Sequence, residues 1–194
     1  MEEFFMNGFE KRTQKKRNHI LKTAQTLFKK HGLKKMNILD IAEAAEVSHV
    51  TIYHYWGNKD GLIDGVMHET LKEITQQGID ILDSAKNFED GLDRILNFEA
   101  NRYEGYDESF KNALVAYEKN QMQREDTDIL DSLRRFIELA PDSDLPVRKF
   151  SNETIRVFVY LFRYLKSHGF LDDETVQKEI TEFFKYGILD YSKR

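Results

Sequence analysis

The sequence predicts an all-α protein, and three observations predict it. Proline occurs only at Pro141 and Pro146 among 194 residues; because proline deletes a backbone donor and collides with the preceding turn, long helices are permitted everywhere else. No segment alternates apolar and polar residues over a useful length, as a half-buried strand would. Apolar residues instead recur at helical spacing, in blocks separated by short punctuation rich in Gly, Asn, Ser or Asp.

The elements follow in order. Residues 14–30 carry Ile20, Leu21, Ala24, Leu27 and Phe28, the spacing of a helix with one apolar stripe. His31-Gly32 stops it, since glycine accepts the left-handed conformation at a helix C-terminus. Asn37 offers a side-chain cap for a short helix with Ile38, Ile41, Ala42 and Ala45 facing inward. Ser48 caps a second short helix that runs to about Trp56. Gly57-Asn58 repeats the stop-and-cap signal, and Asn58 opens a long helix from Lys59 towards Ala85. Further helices are expected near residues 88–106, 108–120, 126–140, 152–168 and 174–191, with Asn87, Asp107, the Pro141 to Pro146 stretch and Gly169 as breaks.

Composition narrows the function classes. A 40% hydrophobic and 32% charged chain suits a soluble protein with a real core. The absence of cysteine excludes disulfides, thiolate metal sites and cysteine nucleophiles. The start, Met1 to Met6, is acidic with no long apolar run, unlike a signal peptide. No stretch approaches the roughly 18 apolar residues of a membrane span, so a cytoplasmic protein without a membrane partner is expected. Net charge is −5, yet residues 1–60 hold 11 Lys/Arg against 7 Asp/Glu, a net of +4, while the remainder holds 18 against 27, a net of −9. A basic head on an acidic body can present that head to phosphates.

The informative stretch runs from Ile38 to Lys59. Two short helices joined by a tight turn must bury a shared apolar seam and leave the outer face of the second one free. Ile41, Ala45, Val47 and Ile52 supply the seam, and Ala42 is small where the helices cross. On the opposite side Val50, Tyr53 and His54 face outward by the 100° helical step, flanked by His49 and Thr51. Such a face suits the major groove.

The run Asp40-Ile41-Ala42-Glu43-Ala44-Ala45-Glu46-Val47-Ser48, followed by Thr51 to Trp56 and by Asn58-Lys59-Asp60-Gly61-Leu62, resembles the DNA-binding signature of the TetR family of regulators. The resemblance covers about residues 14–65. It implies an N-terminal three-helix helix-turn-helix domain at 12–70, with the motif at about 37–56, and a C-terminal helical-bundle domain for effector binding and dimerisation at 71–194. It also implies base contacts from His49, Val50 and Tyr53, phosphate contacts from Thr51, Tyr55 and Lys59, and either role for His54, with Asn37 and Ser48 in the same DNA-binding set. Two positions depart from the pattern. Glu46 stands where a turn glycine is usual, at about 1 kcal/mol if the backbone is left-handed there. Leu39 stands where many members carry a polar or basic group. The basic cluster Lys11, Arg12, Lys15, Lys16 and Arg17 is read evenly as a phosphate clamp or a solvated face, whereas Trp56 reads as a core aromatic.

For the remainder the resemblance implies partners more than residues: a pseudo-palindromic DNA operator, a second copy of the chain, and an unidentified small-molecule effector, with no cofactor and no metal. Residues 155–165 are apolar nearly all round, and Phe158 and Phe162 there, with Phe183, Phe184, Gly187 and Ile188, are the expected dimer interface. Phe98, Asn101, Arg102, Tyr103, Phe110, Tyr117 and Phe136 are candidate effector contacts, Glu118 being a further polar anchor. An enzyme is disfavoured: the one Glu-x-x-His pair, Glu46 and His49, straddles a turn, and the sequence holds no glycine-rich phosphate loop and no His-Glu-x-x-His. The alternative is a module with the same fold that binds protein instead of DNA. Repression, released by the effector, is the expected output.

Overall fold

A computed structural model of the chain describes residues 8–121, 127–139, 151, 153–155, 157, 161, 164 and 173–187. Among these every regular element is helical. The helices are α1 (Gly8–His31), α2 (Ile38–Ala44), α3 (His49–Trp56), α4 (Lys59–Asp83), α5 (Phe88–Asn101), α6 (Glu108–Gln121), α7 (Thr127–Glu138) and, after a break, α8 (Glu174–Gly187). Among the described residues no helix is long and apolar enough to cross a membrane.

The chain divides into two compact units, Met1–Glu73 with Tyr103–Gln123, and Ile74–Arg102 with Arg124–Arg194. The core of the first draws one stripe from each helix: Ile20, Ala24 and Phe28 of α1, Ile41 and Ala42 of α2, Ile52 of α3, Leu62 and Val66 of α4, and Phe110 and Leu114 of α6. Burying each large side chain of this set contributes about 1.5–3 kcal/mol before chain entropy is set against it.

Polar groups tie α1 to α4 alongside that core. The buried Gln25 side chain donates through Nε2 to Thr70 Oγ1 at 2.9 Å and to Glu73 Oε2 at 2.8 Å, and Lys22 pairs with Glu73 on the solvent side. Burial alone pushes the Glu73 carboxyl up, but hydrogen bonds from Lys22 and Gln25 and the charges of Lys22 and Lys29 outweigh it and hold the group below its ordinary value.

Residues 103–123 enter the first unit through the end of α1. The Asp107 amide donates to the Lys29 carbonyl at 2.7 Å, and the Leu33 amide donates to Ser109 Oγ at 3.1 Å. Asp107 Oδ1 accepts from the Ser109 amide at 2.8 Å, capping α6, and from the Ser109 hydroxyl at 2.6 Å. Gly32 is required at this junction twice over: its φ is +85°, and a Cβ there would lie 2.4 Å from Asp107 Oδ1. The Lys29 ammonium sits 4.9 Å from the Tyr106 ring centre.

In the second unit α5 and α7 share a core of Leu82, Phe88, Leu92 and Phe136. The Phe88 and Phe136 rings stack with centres 5.0 Å apart. Gly91 makes that approach fit, since a Cβ there would meet Phe136 Cε2 at 2.3 Å. Arg135 bonds Asp83 at 2.9 Å across the outside. Helix α5 stops at Asn101, short of the expected 106, and the chain then turns, with Gly105 at φ +75°.

The turn between α2 and α3 is a Schellman motif built without glycine. The Val47 amide donates to the Ala42 carbonyl at 2.9 Å and the Glu46 amide to the Glu43 carbonyl at 3.0 Å, which satisfies the last carbonyls of α2. Glu46 itself has φ +54°, the single positive-φ residue other than glycine among the described residues. A Cβ in that conformation is strained.

Two outcomes follow from these contacts. Glu46→Gly should stabilise the protein by about 0.5–1 kcal/mol, the relief of left-handed strain less the added unfolded-state entropy, read as a rise in melting temperature that Glu46→Ala fails to reproduce. Because the Glu73 pKa is lowered on folding, its stabilisation is full above the ordinary carboxylate pKa and is lost as pH falls through the depressed value. Thermal melts taken from about pH 7 down to pH 3 should therefore show a shallower acid loss for Glu73→Gln than for the parent chain.

Candidate nucleic-acid interface

Helix α3 is positioned from below and from both ends. Ile52 is its one fully buried side chain and pins the inner face. Ser48 is the N-cap: its Oγ accepts from the Thr51 amide at 3.3 Å and lies 2.9 Å from Thr51 Oγ1. At the far end the Gly57 amide donates to the Tyr53 carbonyl at 2.8 Å. Helix α2 is fixed in parallel by a capping box, in which Asn37 Oδ1 accepts from the Leu39 and Asp40 amides at 2.8 and 3.0 Å while Asp40 accepts from the Asn37 amide.

With Ile52 buried, the helical step turns His49, Val50, Tyr53 and His54 to solvent, and all four are exposed. Val50 is 62% and Tyr53 46% exposed, values that mark an outer face and not a crevice. The His49 and Tyr53 rings meet edge to face, 6.2 Å between centres, so the two side chains stand side by side on that face. The sequence reading of which residues point outward is the arrangement found.

The phosphate candidates are more constrained. Thr51 is half-buried, and its hydroxyl is already paired with Ser48. Tyr55 is half-buried between His54 and Trp56, with ring centres 5.4 and 5.5 Å away. Lys59, in the first turn of α4, donates from Nζ to the Leu33 carbonyl at 2.6 Å. It therefore ties α4 to the α1–α2 loop and keeps two ammonium protons for any other acceptor. Asn37 spends its side-chain oxygen on the α2 cap. Trp56 is half-buried at the rim instead of lying in the core: its ring lies against Gly65, its Nε1 is buried without a hydrogen-bond partner, and the Arg17 guanidinium is 5.8 Å from its centre. The whole cluster Lys11, Arg12, Lys15, Lys16 and Arg17 is exposed along α1.

Sequence reasoning missed two features. The Lys59 strut has a main-chain carbonyl for acceptor, which no side-chain pattern records. Leu39, read only as a missing polar contact, is 63% exposed on the outside of α2; its place opposite the buried Ile38, Ile41 and Ala42 was a periodicity signal that could have found it.

The seven effector candidates fall in both units. Tyr103, Phe110 and Tyr117 belong to the first, where Phe110 is fully buried with its ring against Tyr106 at 5.6 Å, and the Tyr103 hydroxyl donates to the buried Glu118 at 3.0 Å. Phe98, Asn101, Arg102 and Phe136 belong to the second, where Phe136 is core and Arg102 pairs with Glu99 at 3.2 Å. Of the dimer candidates, Phe158, Phe162 and Ile188 lie outside the described residues; Phe184 and Gly187 fall on α8; and Phe183, also on α8, is 69% exposed. Among the described residues no group of three His, Asp or Glu side chains is placed to hold a metal ion.

Comparison with known proteins agrees with this geometry. Residues 20–66, which span the second half of α1, all of α2 and α3 and the start of α4, match the tetR family of bacterial regulatory proteins. An HTH-type transcriptional repressor, KstR2 of Rhodococcus jostii (strain RHA1), is 31% identical over 72 residues, 34% of this chain and 35% of that protein. The chain thus matches about a third of the length of this curated relative. Over the whole fold, a TetR-family transcriptional regulator from Pectobacterium atrosepticum superposes with a TM-score of 0.58 at 16% identity, covering 92% of this chain and 96% of that one. A second, from Streptomyces coelicolor, superposes at 0.55 with 18% identity, covering 88% and 96%. The all-helical fold with an N-terminal helix-turn-helix and a C-terminal helical domain is common to these solved structures, and residues 20–66 of the chain are similar to the tetR family of bacterial regulatory proteins.

Proposed function

We propose that the protein is a cytoplasmic, homodimeric transcriptional regulator that binds a pseudo-palindromic operator through α3 and acts as a repressor released by a small molecule. The observation that carries the reading is the outer face of α3, where His49, Val50, Tyr53 and His54 are all exposed on a helix pinned by Ile52. A short helix held this firmly, with its polar and aromatic residues outward, is the geometry of a major-groove reader. The basic start of α1 adds a sequence-independent phosphate attraction. The matched relative is a transcriptional repressor, which supports both repression and a regulator over a catalyst.

Dimerisation is supported in the second unit. Val157, Leu161 and Tyr164 are exposed at helical spacing i, i+4 and i+7, and Phe183 of α8 is exposed as well. Exposed large apolar groups such as Val157 and Leu161, one helical turn apart, suit a partner helix. The proposed division places DNA binding at 12–70 and effector binding and dimerisation at 71–194, close to the boundary between Glu73 and Ile74. Effector binding there would change the spacing of two reading heads, a coupling of typically 1–3 kcal/mol.

A gel shift against genomic fragments tests the proposal at its base, and no retarded fragment would refute it. Light scattering should return twice the 23.0 kDa chain mass; a monomer at micromolar concentration would remove the dimer. On the operator, Tyr53→Ala should cost about 1–3 kcal/mol of discrimination against random duplex. Lys59→Ala should weaken all duplexes alike and reduce the salt dependence by about one charge per subunit. Equal loss of specific and non-specific binding in both variants, with folding intact by circular dichroism, would contradict this division of labour.

A further inference from the structure

The chemistry that α3 lacks is as informative as what it carries. A base edge is usually recognised by a matching hydrogen-bonding side chain: Arg or Lys for guanine, Asn or Gln for adenine, Asp or Glu for cytosine. The α3 sequence His-Val-Thr-Ile-Tyr-His-Tyr-Trp contains none of these six. Ile52 is buried, the Thr51 hydroxyl is paired with Ser48, and Tyr55 and Trp56 are half-buried beside each other. What remains outward is Val50 and Tyr53, with the two imidazoles of His49 and His54 beside them.

Val50 has no polar atom beyond its backbone. Set against a guanine or adenine edge it would strip water from an acceptor and return nothing. The one major-groove feature it complements is the C5-methyl group of thymine. Tyr53 presents mainly a ring, 46% exposed, to the same side. Leu39 on α2 extends the pattern, 63% exposed and with its backbone fixed by the Asn37 cap. In the first unit, the large hydrophobics exposed among the described residues are these three and Val115 of α6. Three of the four therefore belong to the helix-turn-helix. A net charge of +4 over residues 1–60, with the exposed cluster Lys11 to Arg17 on α1, points to a polyanion as the occupant of this apolar face.

We infer that the protein identifies its operator chiefly by thymine methyl groups, contacted by Val50 and Tyr53 in each half-site and supplemented by Leu39. The inference rests on the DNA-binding function proposed above and names the chemistry that α3 reads. Val50 and Tyr53 are three residues apart, about 4.5 Å along a helix axis, against about 3.4 Å per base-pair step. The two contacts then fall on thymines one or two base pairs apart.

The test selects duplexes from a randomised library with the full chain, then replaces individual thymines of the enriched site by deoxyuridine, which keeps pairing and removes only the methyl. The expected result is a pair of closely spaced thymines in each half-site, with binding falling about fourfold per deleted methyl, the worth of one buried methyl group. Deoxyuridine outside those positions should change nothing. Val50→Ala, an exposed substitution whose folding is checked by circular dichroism, should bind the thymine and uracil forms of its contacted position equally. Enrichment of a defined site dominated by G·C pairs, or a defined site indifferent to every deoxyuridine replacement, would overturn the inference and leave operator binding standing. Failure to enrich any site would overturn both.

Discussion

An eight-residue helix does not persist in water alone, because nucleation fixes several residues before the first hydrogen bonds repay it. Helix α3 is that short, so its existence depends on what holds its ends and inner face. Ile52 supplies the inward anchor, Ser48 the N-terminal acceptor, and Gly57 closes the C-terminal turn. The Schellman turn at Glu46 sets the direction from which α3 leaves α2. Each of these constraints acts on the buried or backbone side, which leaves the outer face free to carry chemistry and not stability. That separation is why His49, Val50, Tyr53 and His54 can be read as recognition residues at all.

Support for the reading head does not end with the three N-terminal helices. Residues 103–123, far along the chain, belong to the same compact unit, and Asp107 and Ser109 bond the last turn of α1 and the residue after Gly32. Lys59 bonds the carbonyl of that same residue, Leu33. The α1–α2 loop is thus held from α4 and from the start of α6. A division of function drawn along the sequence at residue 70 and a division of packing drawn through space agree for the long helix α4 but differ for α6.

The sequence made the helix starts legible because capping is local chemistry. Asn37, Ser48, Asn58 and Asn87 each bond an amide two or three residues on, so the residue type and its place before an apolar stripe are sufficient. The outward face of α3 was legible for the same reason, once Ile52 was assigned inward. The partner of Lys59 was not, since its acceptor is a carbonyl 26 residues away. Nor was the rim position of Trp56, which depends on the bare surface of Gly65 and on Arg17 from another helix. The early end of α5 was missed because Tyr103 and Tyr106 carry the run of apolar residues beyond Asn101, where the helix stops. The aromatic residues chosen as effector contacts show the limit of composition: Phe110 and Phe136 are core residues of different units, and a buried ring carries no mark that separates pocket wall from packing.

In the proposed function, the exposed side of α3 meets base edges. Photocrosslinking tests it most directly, using a selected duplex in which 5-iodouracil replaces thymines of one half-site, followed by mass mapping of the attached peptide. Attachment is expected within residues 49–54, on the face that holds His49, Val50, Tyr53 and His54. A duplex bound specifically but crosslinked only outside α2 and α3 would contradict it.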